Sequence, residues 1–312
     1  MKPRSLPRSV PRSRRVGGSA SPPFTAGRCD PSATGILPQP KTAARREHRM
    51  TWAAVEHIAE RLSNRDFAIL DDVARVRVLT GTQLQRLHFA HLHGKHRDRT
   101  RREVLARLTS MSLLTTLERR VGGARAGSAG LVFALDAGGQ RLHRFLSGEI
   151  TAPRRPRQPG TPTDRYLRHC LAVSELYVQL VELARTAPST LDTFRAEPAC
   201  WWQAANGQWI KPDAYLVLST TSVEDVWAVE VDRSTESLAT VRGKLLGYLA
   251  LVERGERGPD DVAPRVLVTV LDNHRRNAVR DLVSGLPPPA DELVTVVIAQ
   301  DAANHLVRVL RE

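Results

Sequence analysis

Two carboxylates and a lysine in this chain have the types and spacing to do chemistry on a phosphodiester. The stretch WIKPDAYLVLSTTSVEDVWAVEVDRSTES, Trp209 to Ser237, sets Pro212-Asp213 ahead of a spacer and then Glu230-Val231-Asp232. If both segments are strands, alternation puts Lys211, Asp213 and Tyr215 on one side of the first, and Ala228, Glu230 and Asp232 on one side of the second. On neighbouring strands Asp213 and Glu230 converge, and two convergent carboxylates are what a Mg²⁺ site for phosphodiester hydrolysis requires. The lysine that would complete such a strand is missing, because Asp232 stands in its place. Glu230 lies inside VWAVEV, apolar on both sides, so its carboxylate is covered and needs a partner, unlike an acid that merely faces solvent.

The next helix offers that partner. Helical steps over residues 235–254 put Val241, Lys244 and Tyr248 on one face with Leu245 beside them, on the stripe that packs against the sheet. A lysine there is costly unless its ammonium reaches Glu230 or Asp232, so the lysine has in effect moved from strand to helix. In a metal site, Asp213 and Glu230 are ligands, Asp232 is a third, and Lys244 steadies the attacking water or the phosphate. In a structural ion pair, Glu230→Gln strands Lys244 at about 3–5 kcal/mol if burial is complete. His169 and Glu175 upstream, with Tyr248, complete the candidate set.

The elements that must hold these residues can be read around them. Tyr166 to Arg185 is a long helix with a broad apolar face of Leu167, Cys170, Leu171, Val173, Tyr177, Leu180 and Val181. Strands are expected at about 193–202, 209–219 and 225–232, a helix at 235–254, a buried strand at 265–271, a helix near 273–284 and a strand near 293–298. That order is an α/β (α+β) sandwich with a mixed sheet.

Residues 65–147 follow a different pattern. Phe67, Leu70, Val73 and Val76 or Val78 mark a first helix; Thr80 or Thr82 caps a second that carries Leu84 and Leu87. Thr100 and Glu103 form a T-x-x-E capping signature for a third, with Val104, Leu105, Leu108 and Met111 inward and Arg97, Arg99, Arg101, Arg102 and Arg107 leading or outward. Two strand-like runs, LLTTLERR and LVFALD, then flank a glycine-rich tip that contains Arg125. Three helices and a basic hairpin make a winged helix-turn-helix, in which the third helix enters the major groove of duplex DNA. Wet helix faces carry arginine anyway, so the signal is the combination of order, tip and local charge. His88, His91, His93 and His96 fall at irregular steps with no completing ligand, and read as a polar turn rather than a metal site.

Charge agrees with this division. The chain of 312 residues carries a net +13, and residues 65–145 hold 15 basic against 7 acidic side chains, whereas residues 146–312 hold 19 against 22. A regional excess of this kind calls for a polyanion partner met by the front half. The first 49 residues hold 11 basic against 2 acidic side chains with almost nothing to bury, and are expected to be a disordered basic arm or an extension ahead of a true start at Met50. The expected divisions are therefore 1–49, a winged-helix domain at 50–150, a Pro-rich linker at 151–164 and an α/β domain at 165–312. Cys29, Cys170 and Cys200 form no disulfide framework or zinc pattern, no run approaches the ~18 apolar residues of a membrane span, and the expected location is the cytoplasm.

KPDAYLVL, WAVEVDRSTES and KLLGY, with the helix RHCLAVSELYVQL and the segment RDFAILDDVARVRVLTGTQLQRLHF, resemble the replication-relaxation family of actinobacterial plasmids and integrated elements over about residues 60–280. The resemblance implies a DNA-associated protein of plasmid replication and relaxation, a winged helix joined to a domain similar to the PD-(D/E)xK nucleases. Asp232 departs from an active nuclease pattern. Three functions follow: a non-cleaving DNA-binding factor that docks DNA, a relaxase or a replication initiator; a Mg²⁺-dependent endonuclease or nickase using Asp213, Glu230 and Lys244; or a winged-helix transcription regulator that dimerises or binds a ligand. The acidic balance of the back half argues against a domain that grips DNA by itself. The winged-helix fragment, residues 60–150, is expected to bind duplex DNA without the rest.

Overall fold

The computed structural model describes residues 57–120, 130–148, 159–160 and 162–311. The basic arm, Arg125 at the expected wing tip and most of the expected linker lie outside the described residues.

In the front half α1 (Asn64–Val76), β1 (Leu79–Thr80), α2 (Gly81–His88), α3 (Gly94–Ser110), β2 (Leu114–Arg120) and β3 (Leu131–Leu135) follow in that order. The three strands pair antiparallel as β1-β3-β2. Local chemistry sets the helix starts. Ser63 and Asp66 form a reciprocal capping box on α1, and Thr80 and Gln83 form the same box on α2, so Thr80 rather than Thr82 is the cap.

The expected box at Thr100 and Glu103 does not cap anything. α3 begins at Gly94, behind an extended His93 with no side-chain cap, and Glu103 is instead held by Arg99 one turn earlier at 2.7 Å. The sequence also hid α4 (Ala137–Leu146), capped by Asp136. Its Gly139 lies so close to the chain that a Cβ there would stand 2.1 Å from the Leu113 carbonyl oxygen.

The back half runs α5 (Asp164–Ala184), β4 (Thr190–Ala196), β5 (Trp202–Gln203), β6 (Trp209–Ile210), β7 (Ala214–Ser219), β8 (Glu224–Asp232), α6 (Leu238–Glu253), β9 (Arg265–Val270), α7 (Asn273–Ser284), α8 (Ala290–Leu293), β10 (Val294–Ile298) and α9 (Ala302–Val309). Its five-stranded sheet is mixed, in the order β10-β9-β8-β7-β4, with β8, β9 and β10 parallel and β7 antiparallel to both neighbours. The fold is therefore a mixed α/β sandwich, as the element order implied.

The strand expected at 209–219 is broken. Pro212, which has no N–H to donate, separates β6 from β7, so Asp213 sits in the lead-in to β7 rather than within a strand. β6 pairs instead with β5 in a separate two-stranded hairpin.

Helices cover both faces of the large sheet. Val241, Leu245, Tyr248 and Leu249 of α6 pack on Ala228, Val266 and Val268. The opposite face belongs to a cluster that runs through both halves of the chain, from Ile69, Leu84 and Leu108 to Leu176, Leu216 and Leu306. α9, which no periodic signal had marked, contributes Leu306 to it. Among the described residues no helix is long and apolar enough to cross a membrane.

Candidate carboxylate and lysine cluster

Register decides which acids meet. Ala214 pairs with Val229, so Asp213 and Glu230 fall opposite one another at the next step of the antiparallel ladder. Both are buried. One Asp213 oxygen accepts the Val231 N–H at 2.7 Å, and the other lies 3.2 Å from His169 Nε2 on α5.

Lys244 arrives from α6, as its helical position required. Its Nζ donates to Glu230 Oε2 at 2.9 Å and stands 3.1 Å from Glu236, while Tyr248 Oη donates to Glu230 Oε1 at 2.7 Å. Both Glu230 oxygens are thus engaged. Of the two acids open to Lys244 from the sequence, the structure selects Glu230.

Asp232 takes another course. Arg275 Nε in the first turn of α7 donates to it at 2.6 Å, and the Ser234 N–H donates to its second oxygen at 2.7 Å. It borders the same recess as Glu230, but both of its oxygens are engaged by Arg275 and Ser234. Arg275 and Glu236 were not anticipated. Arg275 stands three residues after the cap Asp272, and no local signal in the sequence ties it to Asp232.

The electrostatics follow from crowding. Burial first, and then the facing Asp213, push the Glu230 carboxyl up to about 7 against the pull of Lys244 and Tyr248. Burial disfavours the Lys244 charge, but Glu230 and Asp213 outweigh it and hold the ammonium above its ordinary value. His169 behaves alike: burial lowers it, Asp213 outweighs burial, and the net shift is upward.

A hydrated divalent cation does not fit the recess beside Glu230. The recess beside Glu230, Glu236 and Lys244 has a volume of ≈ 10 Å³, about that of one water, whereas Mg²⁺ keeps several waters. The Glu230 oxygens a cation would need already face an ammonium and a phenol. Among the described residues no group of three or more His, Cys, Asp or Glu side chains converges as metal ligands.

The expected DNA-facing arginines divide. Arg102 is exposed on α3 and Arg99 is exposed but tied to Glu103. Arg97 is half-buried. Arg107 crosses to α1, where its Nη2 donates to the buried Asp66 at 2.6 Å. Arg101 is buried rather than outward, because it precedes Leu105 by four and Leu108 by seven and so belongs to the inward stripe. The four histidines do not form one polar turn: His88 ends α2 and lies 3.0 Å from Asp72, His91 meets Arg65, His93 precedes α3 and His96 is exposed. Glu175 makes no hydrogen bond or ion pair with the cluster among the described residues and pairs with Arg86 of α2 at 2.6 Å.

A family described as replication-relaxation matches residues 70–266. No curated protein matches the chain. Among solved structures, one titled "Structure of SdaI restriction endonuclease" is similar at 11% identity and a TM-score of 0.22, over 81% of this chain and 92% of that one. A likeness that slight carries no argument.

Proposed function

We propose, for a chain that belongs to the replication-relaxation family, that it is a duplex-DNA-binding factor of plasmid or mobile-element replication and relaxation whose nuclease-like cluster is a structural ion-pair network. The observation that carries the second half is the closure of Glu230, both of whose oxygens are held by Lys244 and Tyr248. The DNA-binding half is supported by the winged-helix order and by α3, where six basic residues stand against two acidic ones between Gly94 and Ser110. Lys95, His96, Arg99, Arg102 and Arg107 are the exposed basic members of that helix, and of them Lys95, His96 and Arg102 carry no ion pair among the described residues and are offered to phosphates or base edges. A relaxase or replication initiator remains the kind of protein that the back half would dock.

The nuclease reading keeps one favourable observation, the approach of Asp213, Glu230 and Lys244 to one another. Supercoiled plasmid incubated with the full chain, with Mg²⁺ and with EDTA, separates the two. The expected outcome is a mobility shift that weakens as salt rises, because phosphate contacts release counterions, with no relaxed or linear product. Mg²⁺-dependent nicking by the wild type that vanishes in Glu230→Gln would put the nuclease first. Arg102→Ala should weaken the shift; Arg101→Ala is a poor test, since it opens the core.

A further inference from the structure

A cavity lies on the other face of the sheet from the carboxylate cluster. It has a volume of ≈ 730 Å³, within the range of small-molecule sites, and opens between α2, α5 and the ends of three strands. Those ends are the carboxyl ends of the parallel strands: Val231 and Arg233 at β8, Thr269 at β9, Ala299 and Gln300 after β10. Open α/β sheets bind ligands there, because that is where loops diverge and leave a crevice.

Its wall chemistry narrows the ligand. Leu167, Leu171, Leu176 and Ala302 give an apolar lining suited to a flat or branched hydrocarbon body. The two acids in the wall are already matched: Glu175 by Arg86 at 2.6 Å and Asp164 by Arg168 at 2.8 Å. Arg233 is different. It is half-buried at the rim and makes no ion pair or hydrogen bond among the described residues, so the cavity carries one uncompensated positive charge. We infer that this cavity is a binding site for a small organic anion, with an apolar body against Leu167 and Leu171 and a single anionic group on Arg233. This assignment stands independently of DNA binding and of cleavage.

Fluorescence titration of the full chain with 8-anilinonaphthalene-1-sulfonate, an aromatic body with one anionic group, tests it against the neutral N-phenyl-1-naphthylamine. Saturable binding of one equivalent is expected, tighter for the sulfonate. Arg233→Ala should weaken the sulfonate about tenfold, the scale of a lost charged hydrogen bond, and leave the neutral probe unchanged. Among the described residues that side chain holds no partner, so its removal strands none of them. Leu171→Trp, which fills the cavity, should abolish both while far-UV circular dichroism is retained. No saturable binding, or sulfonate binding indifferent to Arg233→Ala, overturns the assignment; should Leu171→Trp fail to fold, the Arg233→Ala comparison still decides.

Discussion

Glu230 and Glu236 flank one ammonium while Asp213 faces Glu230, and that crowding of acids governs what substitutions there do. Glu230 titrates near 7 in the folded chain against an ordinary 4.5, so its contribution to stability is fully present below about 4.5 and is lost as pH rises to about 7. Glu230→Gln has no such titration. The stability difference between wild type and this variant, measured by urea unfolding, should therefore narrow in the variant's favour as pH rises across that window; a widening difference would mean that attraction to Lys244 dominates and Glu230 stays ionised. This revises the flat penalty that complete burial of an ion pair suggested. Lys244→Met removes the shared cation, and at pH 8 should destabilise by about 1–3 kcal/mol, less than a fully buried pair because Lys244 is about a third exposed. A neutral Lys244→Met would show that the pair contributes nothing. The contact itself was legible, since a period of two on β8 and of 3.6 on α6 aim Glu230 and Lys244 at each other. Asp232 was not: its partner Arg275 is 43 residues away, and no local period reports how α7 lies over the sheet.

Capping chemistry was the most readable feature at the level of elements, and also the most deceptive. Thr80 with Gln83 caps α2 as its spacing suggests, yet Thr100 with Glu103 has the same spacing inside α3, where Arg99 claims the glutamate. Moving the start of α3 back to Gly94 extends its inward stripe to Arg101 and changes which arginines face water. α4 escaped because paired glycines weaken a helical signal, although Gly139 is there to permit close approach to Leu113. Arg107 shows what the new register means. It holds the buried Asp66, whose carboxyl burial would raise but which Arg107 and Ser63 together keep below its ordinary 3.8. Stability from Asp66 is thus present above that value and lost as pH falls through the lower folded one. Arg107→Ala should cost about 1–2 kcal/mol at pH 7 and flatten the acid limb of the stability profile, read by chemical denaturation at pH 7 and pH 3. A variant of unchanged stability with weakened DNA binding would assign Arg107 to the DNA surface instead.

The two halves were legible in outline, but the surface that joins them was not, because neither period nor charge reports contacts between distant segments. Ser174 of α5 donates to the Val78 carbonyl at 2.7 Å, Tyr177 to Asp72 at 2.5 Å and Arg185 to the Leu87 carbonyl at 2.5 Å. Arg86 is held by Glu175 and Glu182, and the apolar cluster continues across the same boundary. Cutting the chain after residue 150 would expose this face of α1 and α2 and leave the Val78 and Leu87 carbonyls without those donors. Lost apolar burial adds at about 25 cal/mol per Å², and domains are stable by only about 5–15 kcal/mol, so losing one such face is enough to unfold a small fragment. The fragment of residues 60–150, expected from sequence to bind DNA alone, should therefore lack a cooperative thermal transition and near-ultraviolet dichroism. The intact chain should melt cooperatively and bind duplex DNA with a negative slope of log affinity against log salt. A fragment that melts cooperatively and binds with the slope of the intact chain would restore an independent winged-helix domain.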